Sequence, residues 1–286
     1  MSNKVLVFSD STIDLTPELY ERYGIKTIPM HINLGGKTYE DNVNITTTEL
    51  FDHYYETKEL PKTAAINSEE LIDTFKPYID EGYEIVYVSL GSALSVSYRS
   101  SVLAAEELQG KLHTIDSCSL STGAGLLTIE AAIRAQQGME ASKIAEEVRA
   151  LNQKNHASFI LDTLEFMKAG GRCSAVAAFG ANLLGLKPCI GVDNSKNGAM
   201  GVTKKYRGKL TKVITDYIDD TLAAYSNIKT DRAFVTYSSD KDDIVNTALE
   251  HVKSKGIFKE VFVTRASCTI SSHCGPATLG VLFMTE

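Results

Sequence analysis

The sequence predicts an α/β protein of two units, the first a parallel sheet with helices on both faces and the second a further α/β lobe. Three observations carry this. Short apolar runs at residues 5–8, 85–88 and 113–115 each end in a polar turn and precede a segment of helical period, the alternation that builds parallel sheets. Beyond residue 155 or so, strands joined by tight turns enter the pattern. The length, 286 residues, also exceeds the roughly 150 of one ordinary domain.

Taken in order, the strand at 5–8 is stopped by Ser9-Asp10-Ser11-Thr12. Thr16 then caps a helix with Pro17 at its first position, and Leu15, Leu19 and Tyr23 recur at helical spacing. Residues 25–34 form one extended run, turned back at Gly35-Gly36 into 37–39 as a hairpin, and 46–59 return to helical period. The strand at 85–88 leads through the loop 89–93 into a helix reaching Leu108. The strand at 113–115 ends in Asp116-Ser117, and 123–136 make a helix of small and apolar residues.

The second half begins with a strand at 159–161, a helix at 163–169, the breaker Gly170-Gly171 and a second apolar helix at 176–186. Strands at 188–192 and 200–206 flank a turn at 194–198. A strand at 233–237, an amphipathic helix at 241–255 and strands at 261–265 and 279–284 complete the chain. The expected division is 1–160 and 161–286, with the 26–40 hairpin a candidate to pack on the C-terminal unit. No fixed-period repeat or low-complexity linker intervenes.

Composition narrows the function classes. Hydrophobic residues at 43% and charged residues at 23% describe a chain that buries ordinary cores, which excludes wholesale disorder. The net charge of −7 is spread without a basic block, against a nucleic-acid partner. The opening apolar run is too short for a signal peptide. No stretch reaches the roughly 18 to 20 apolar residues of a membrane span, so a cytoplasmic protein without stable membrane insertion is expected. Five cysteines at scattered positions, with no CxxC pair, read as reduced, buried thiols, and no metal site is expected.

Four segments carry possible chemistry. Asp10 follows the first strand, but its hydroxyl-rich turn favours loop structure over catalysis. Residues 92–100 place hydroxyls where a loop enters a helix, which suits either an anion or simple capping. His273 lies in the small polar stretch 271–276, read as a loop. No GxSxG elbow or marked acid makes it part of a hydrolase triad. Lys168 to Arg172 reads as a charged helix C-terminus or as a cationic partner contact. The phosphate-binding GxxxxGK[ST] motif is absent.

Ser9-Asp10-Ser11, Leu94-Ser95, Ile115-Asp116-Ser117, Gly170-Gly171-Arg172, Leu186-Lys187-Pro188 and His273-Cys274-Gly275-Pro276 occur in an order that resembles the DegV family along nearly the whole chain. The resemblance implies a DegV-like two-lobed fold and a carrier, not an enzyme, that buries a long-chain fatty acid such as palmitate. It further implies that the carboxylate is presented to a dihydroxyacetone-kinase-like, ATP-dependent subunit of a fatty acid kinase, which forms the acyl phosphate; the carrier itself needs no cofactor. By that resemblance Thr63, Ser95 and His273 hold the carboxylate, Ser97 and Ser11 belong to the head-group loop, and Arg172 faces the kinase.

The chain departs from the family pattern at Ala64-Ala65 after Thr63, at Val96-Ser97 where Gly-Thr is usual, and at Ala277 where Gly is usual. A β-branched Val does not readily take a positive φ, so a differently shaped head-group loop is expected. The residues alone leave other classes open: a hydrolase using Ser95 and His273, a small-molecule phosphotransfer enzyme, or a ligand sensor.

Overall fold

The computed structural model describes residues 4–174, 185–238 and 242–286. Strand β1 (Lys4–Asp10) leads through a 3-10 turn to helix α1 (Pro17–Tyr23), whose Thr16 cap accepts the Leu19 amide and whose Gly24 closes it in a left-handed conformation. The extended run splits into β2 (Lys26–Ile28) and β3 (His31–Leu34), which join different sheets. Pro29 lies at the break and has no N–H to continue a ladder. Strand β4 (Lys37–Glu40) completes the hairpin. Helix α2 (Thr47–Thr57), strand β5 (Lys62–Ala64) and helix α3 (Ser68–Asp80) follow. Both helices start in capping boxes, Thr46 with Glu49 and Asn67 with Glu70.

Strand β6 (Tyr83–Ser89), helix α4 (Ser97–Glu107), strand β7 (Leu112–Asp116), helix α5 (Ser121–Gln136) and helix α6 (Ala141–Ala150) finish the first half. Strands β2, β1, β6 and β7 form a parallel sheet in that order. Val7, Val86, Val88 and Ile115 face α5 and α6, while Phe8, Ile85, Tyr87 and Leu112 face α3 and α4. Both faces are therefore covered, as expected. The order reverses beside β1, and in open α/β sheets such a reversal leaves a crevice at the carboxyl ends of the strands.

The second half comprises β8 (Asn155–Ile160), α7 (Glu165–Gly170), β9 (Leu186–Asp193), β10 (Ala199–Arg207), α8 (Leu210–Ala223), β11 (Ile228–Tyr237), α9 (Asp242–Ser254), β12 (Glu260–Arg265), α10 (Cys268–Cys274) and β13 (Leu279–Thr285). Its six-stranded mixed sheet runs β10-β9-β8-β13-β11-β12. Because β8 belongs to it, the change of sheet falls at residue 155 rather than 161. Most of the apolar helix read at 176–186 lies outside the described residues, as does Lys241, and Leu186 opens β9.

The segment read as a loop at 271–276 is largely α10. Ser267 caps it by accepting the Ile270 amide, and Gly275 ends it. The small sheet β4-β3-β5 and α2 bury Ile32, Leu50 and Phe51 against Phe166 of α7 and Cys268 of α10, so the hairpin strands pack on elements of the second half.

Helix α5 is buried from Ser121 through Ala132, with the parallel sheet on one side and Ala157, Phe234 and Leu282 of the mixed sheet on the other. An amphipathic stripe is absent because neither side faces water. Gly125 lets the 3-10 turn after β1 come close to the helix: a Cβ there would lie 2.8 Å from the Ile13 carbonyl oxygen.

Candidate functional site

A cavity of about 310 Å³ opens between the loops at the carboxyl ends of the parallel strands and the mixed sheet. Leu90, Leu94 and Leu120 supply one apolar wall; Phe159, Met167, Ile270 and Leu282 supply the other. Ser121, Ser158, Thr236, Ser238 and Thr278 also line it, but their hydroxyls bond within the protein. Ser121 Oγ donates to Asp14 at 2.5 Å, Ser238 Oγ to the Gly275 carbonyl at 2.5 Å, and Thr278 Oγ1 to the Cys274 carbonyl at 2.9 Å. Ser158 Oγ pairs with the Tyr217 hydroxyl at 2.9 Å, and Thr236 Oγ1 with Thr122 at 2.7 Å and Thr264 at 2.9 Å.

The structure brings Thr63, Ser95, Arg172 and His273 to the same cavity from four places in the chain. Thr63 is the middle residue of β5, fixed opposite Ile32 of β3. Its Oγ1 lies 2.9 Å from His273 Nε2, in the last turn of α10. Ser95 precedes α4, and the Ser97 amide donates to Ser95 Oγ at 3.2 Å while the two hydroxyls lie 2.9 Å apart. Ser97 is fully buried and supports Ser95 from behind. Val96 sits at φ −81 and ψ 0, so the loop takes a right-handed conformation that Val adopts without strain. The Gly-to-Val departure is accommodated by backbone shape, whereas Ala277 occupies φ +58.

Arg172 follows α7, is exposed, and contacts the cavity as well as solvent. Its Nη1 donates to the Gly170 carbonyl at 2.6 Å and its Nε to the Leu94 carbonyl at 3.4 Å. Burial, reinforced by this guanidinium, pushes the His273 imidazole down to about 4, so the ring is neutral at pH 7.

Ser11 is a correction. Its Oγ donates to Asp41 at 2.9 Å and accepts the Met30 amide at 3.1 Å, and it lies outside the cavity lining. Asp10 has the structural role its turn suggests, accepting the Thr12 amide at 3.0 Å, the Thr12 hydroxyl, and the Leu90 amide at 2.8 Å.

Sequence reasoning missed the clamp behind His273. Asp14 accepts the Ser267 amide at 2.9 Å, and Asp41 accepts the Cys268 and Thr269 amides at 2.8 and 3.2 Å, so two carboxylates from the first half hold the start of α10. Burial raises both acids above the usual carboxylate range, Asp14 to about 8. Ser267 was the one local signal for this helix, as an N-cap residue.

A hydrolytic triad is not assembled. His273 Nε2 bonds Thr63 rather than Ser95, and buried Nδ1 has no carboxylate partner. Among the described residues no group of three His, Cys, Asp or Glu side chains is placed to hold a metal, and no helix is long and apolar enough to cross a membrane. All five cysteines are buried, and burial pushes the Cys268 and Cys274 thiols up to about 12.

The family described as uncharacterised protein, DegV family, matches residues 4–286. A DegV domain-containing protein from Clostridium perfringens is 28% identical over 289 residues, covering 99% of each chain. A solved structure described as fatty acid binding of a DegV family protein from Thermus thermophilus superposes with a TM-score of 0.90 at 28% identity, covering 99% of this chain and 100% of that one. The Streptococcus pneumoniae fatty acid kinase (Fak) B3 protein, solved loaded with linoleic acid, shares the fold with a TM-score of 0.83 at 18% identity, over 99% of this chain and 100% of that one.

Proposed function

The chain belongs to the DegV family, and on that premise we propose that it binds a long-chain fatty acid in the cavity between its sheets, with the carboxylate at Thr63, Ser95 and His273. One observation carries this reading. Thr63, Ser95, the neutral imidazole of His273 and the Arg172 cation all line one cavity whose walls are otherwise mostly apolar, and His273 Nδ1 is buried without a hydrogen-bond partner. A long apolar body with an anionic head fits that division. The Thermus thermophilus relative, described as fatty-acid-binding, supports it.

The tail supplies affinity. About fourteen buried methylenes contribute roughly 11 kcal/mol at about 0.8 each, before the cost of ordering the chain is subtracted. Each hydrogen bond to the charged head adds on the order of 1.5 to 3 kcal/mol. In the finer reading the protein is a cytoplasmic carrier that presents the carboxylate to an ATP-dependent kinase subunit, which supplies nucleotide and forms the acyl phosphate. Exposed Arg172, at both cavity and surface, is the residue we assign to that contact. The likeness to the fatty acid kinase B3 protein supports this at the level of fold.

Organic extraction of the purified, denatured protein followed by mass spectrometry is expected to release about one acyl chain per protein. Absence of any acyl species, together with no uptake of added palmitate, would falsify the carrier reading.

A further inference from the structure

His273 Nε2 is 2.9 Å from Thr63 Oγ1, while Nδ1 is buried with no hydrogen-bond partner. What occupies the Nδ1 side is Gly170, at the end of α7: a Cβ built there would lie 2.2 Å from Nδ1, 3.2 Å from Cε1 and 3.3 Å from Cγ. In glycine a hydrogen points along that direction, so a Cα–H is aimed at Nδ1. A lone pair on Nδ1 meets it as a weak C–H···N contact, whereas an N–H would meet it head-on, hydrogen against hydrogen, with no acceptor in reach.

We infer that Gly170 is a positioning residue that fixes the tautomer of His273, excluding a proton from Nδ1 and leaving it on Nε2. Nε2–H then donates to Thr63 Oγ1, and Thr63, whose oxygen is occupied as an acceptor, turns its own O–H toward the cavity. The Gly170 carbonyl meanwhile holds Arg172 Nη1 at 2.6 Å, so one short segment sets both the ring and the neighbouring cation. The consequence for ligand class rests on the fatty-acid reading: a site that offers a fixed donor beside a cation takes an ionised carboxylate and discriminates against the primary amide or alcohol of the same chain.

Long-range ¹⁵N–¹H spectra of histidine-labelled protein at pH 7, stripped of lipid and with His273 assigned by an H273Q variant, test the tautomer directly. The expected spectrum shows His273 protonated on Nε2 alone; a proton on Nδ1, or an even mixture, overturns the inference whether or not lipid binds. In G170A the added methyl must displace the ring. The His273 signals are expected to move and palmitate affinity to fall about tenfold or more, the scale of one hydrogen bond to a charged head. A folded G170A protein with an unchanged His273 spectrum and unchanged affinity overturns it. If the wild type shows the Nε2 tautomer yet binds no acyl chain, the Gly170–His273 coupling stands and the fatty-acid reading fails.

Discussion

At the cavity, the Thr63 hydroxyl has a single hydrogen-bond partner among the described residues, His273, whose Nδ1 has none, and the Ser95 hydroxyl is bonded only to Ser97. Around β1 and α10, by contrast, Asp10, Asp14 and Asp41 are buried without a cationic partner among the described residues, yet each of their six carboxyl oxygens is engaged in at least one hydrogen bond. Buried polar groups that are fully satisfied within the protein build scaffold, whereas those that retain hydrogen-bonding capacity call for an explanation, which at the cavity is the ligand proposed above. Charge alone would have ranked the two regions the other way, with three carboxylates ahead of two hydroxyls and a neutral ring. The two are linked, since the acids anchor the start of the helix whose end carries His273.

Breaking the scaffold side has the largest expected effect. Asp41→Ala strands the Cys268 and Thr269 amides and the Ser11 hydroxyl at once. Unmet buried donors cost about 1 to 3 kcal/mol each, so a loss of about 4 kcal/mol in urea unfolding is expected, with fatty-acid retention falling too. A loss below about 1 kcal/mol would show that α10 holds its place without the clamp.

The acids also set a pH dependence opposite in sign to that of the site. Asp14 titrates near 8 when folded and near 3.8 when unfolded, so its stabilisation is complete below about 4 and declines as pH rises to 8. His273, at about 4 folded and 6.5 unfolded, does the reverse, its contribution being present above 6.5 and lost as pH falls toward 4. Between pH 6.5 and 8 the Asp14 effect stands alone of these two. Wild type is expected to lose about 2 kcal/mol relative to Asp14→Asn across that window, at up to about 1.4 kcal/mol per unit. Parallel stability curves for the two proteins would remove Asp14 as a buried, protonated acid.

How much of this was legible follows the same division. The parallel strands were readable because apolar runs closed by polar turns are local signals, as were the Thr16 cap and Pro17 start of α1. Helix α10 was not, because its seven residues carry hydroxyls, thiols and a histidine rather than an apolar stripe. The carboxylates that hold it lie 227 residues away in the case of Asp41 and Cys268, a pairing no local pattern encodes. Thr63, Ser95 and His273, which the structure brings to one cavity, come from the family resemblance, and the same resemblance puts Ser11 in the head-group loop because it does not show that Asp41 and Met30 already engage its oxygen. Arg172 was read as a partner contact, and its second position against the cavity needed the fold.

On the site side, Ser95→Ala removes one donor without touching the clamp. Palmitate retention is expected to weaken roughly tenfold while the unfolding midpoint stays within experimental error, a split that a scaffold residue would not give. Equal affinity in a ligand titration would take Ser95 out of the head-group site.

The smallest effect probes the join between the regions. Ala277 sits at φ +58, a conformation glycine takes freely and alanine adopts at a cost of about 1 to 2 kcal/mol, next to Thr278 at the cavity wall. Ala277→Gly relieves that strain, but it also frees the unfolded chain by about 0.4 to 1 kcal/mol and gives up a buried methyl. With the buried methyl worth about 0.8 kcal/mol the three contributions nearly cancel, so the urea midpoint is expected to move by no more than about 0.5 kcal/mol, with fatty-acid affinity unchanged. A midpoint lowered by more than that would mean that the methyl group's packing outweighs the strain, making this departure from the family pattern a stabilising adaptation of the wall.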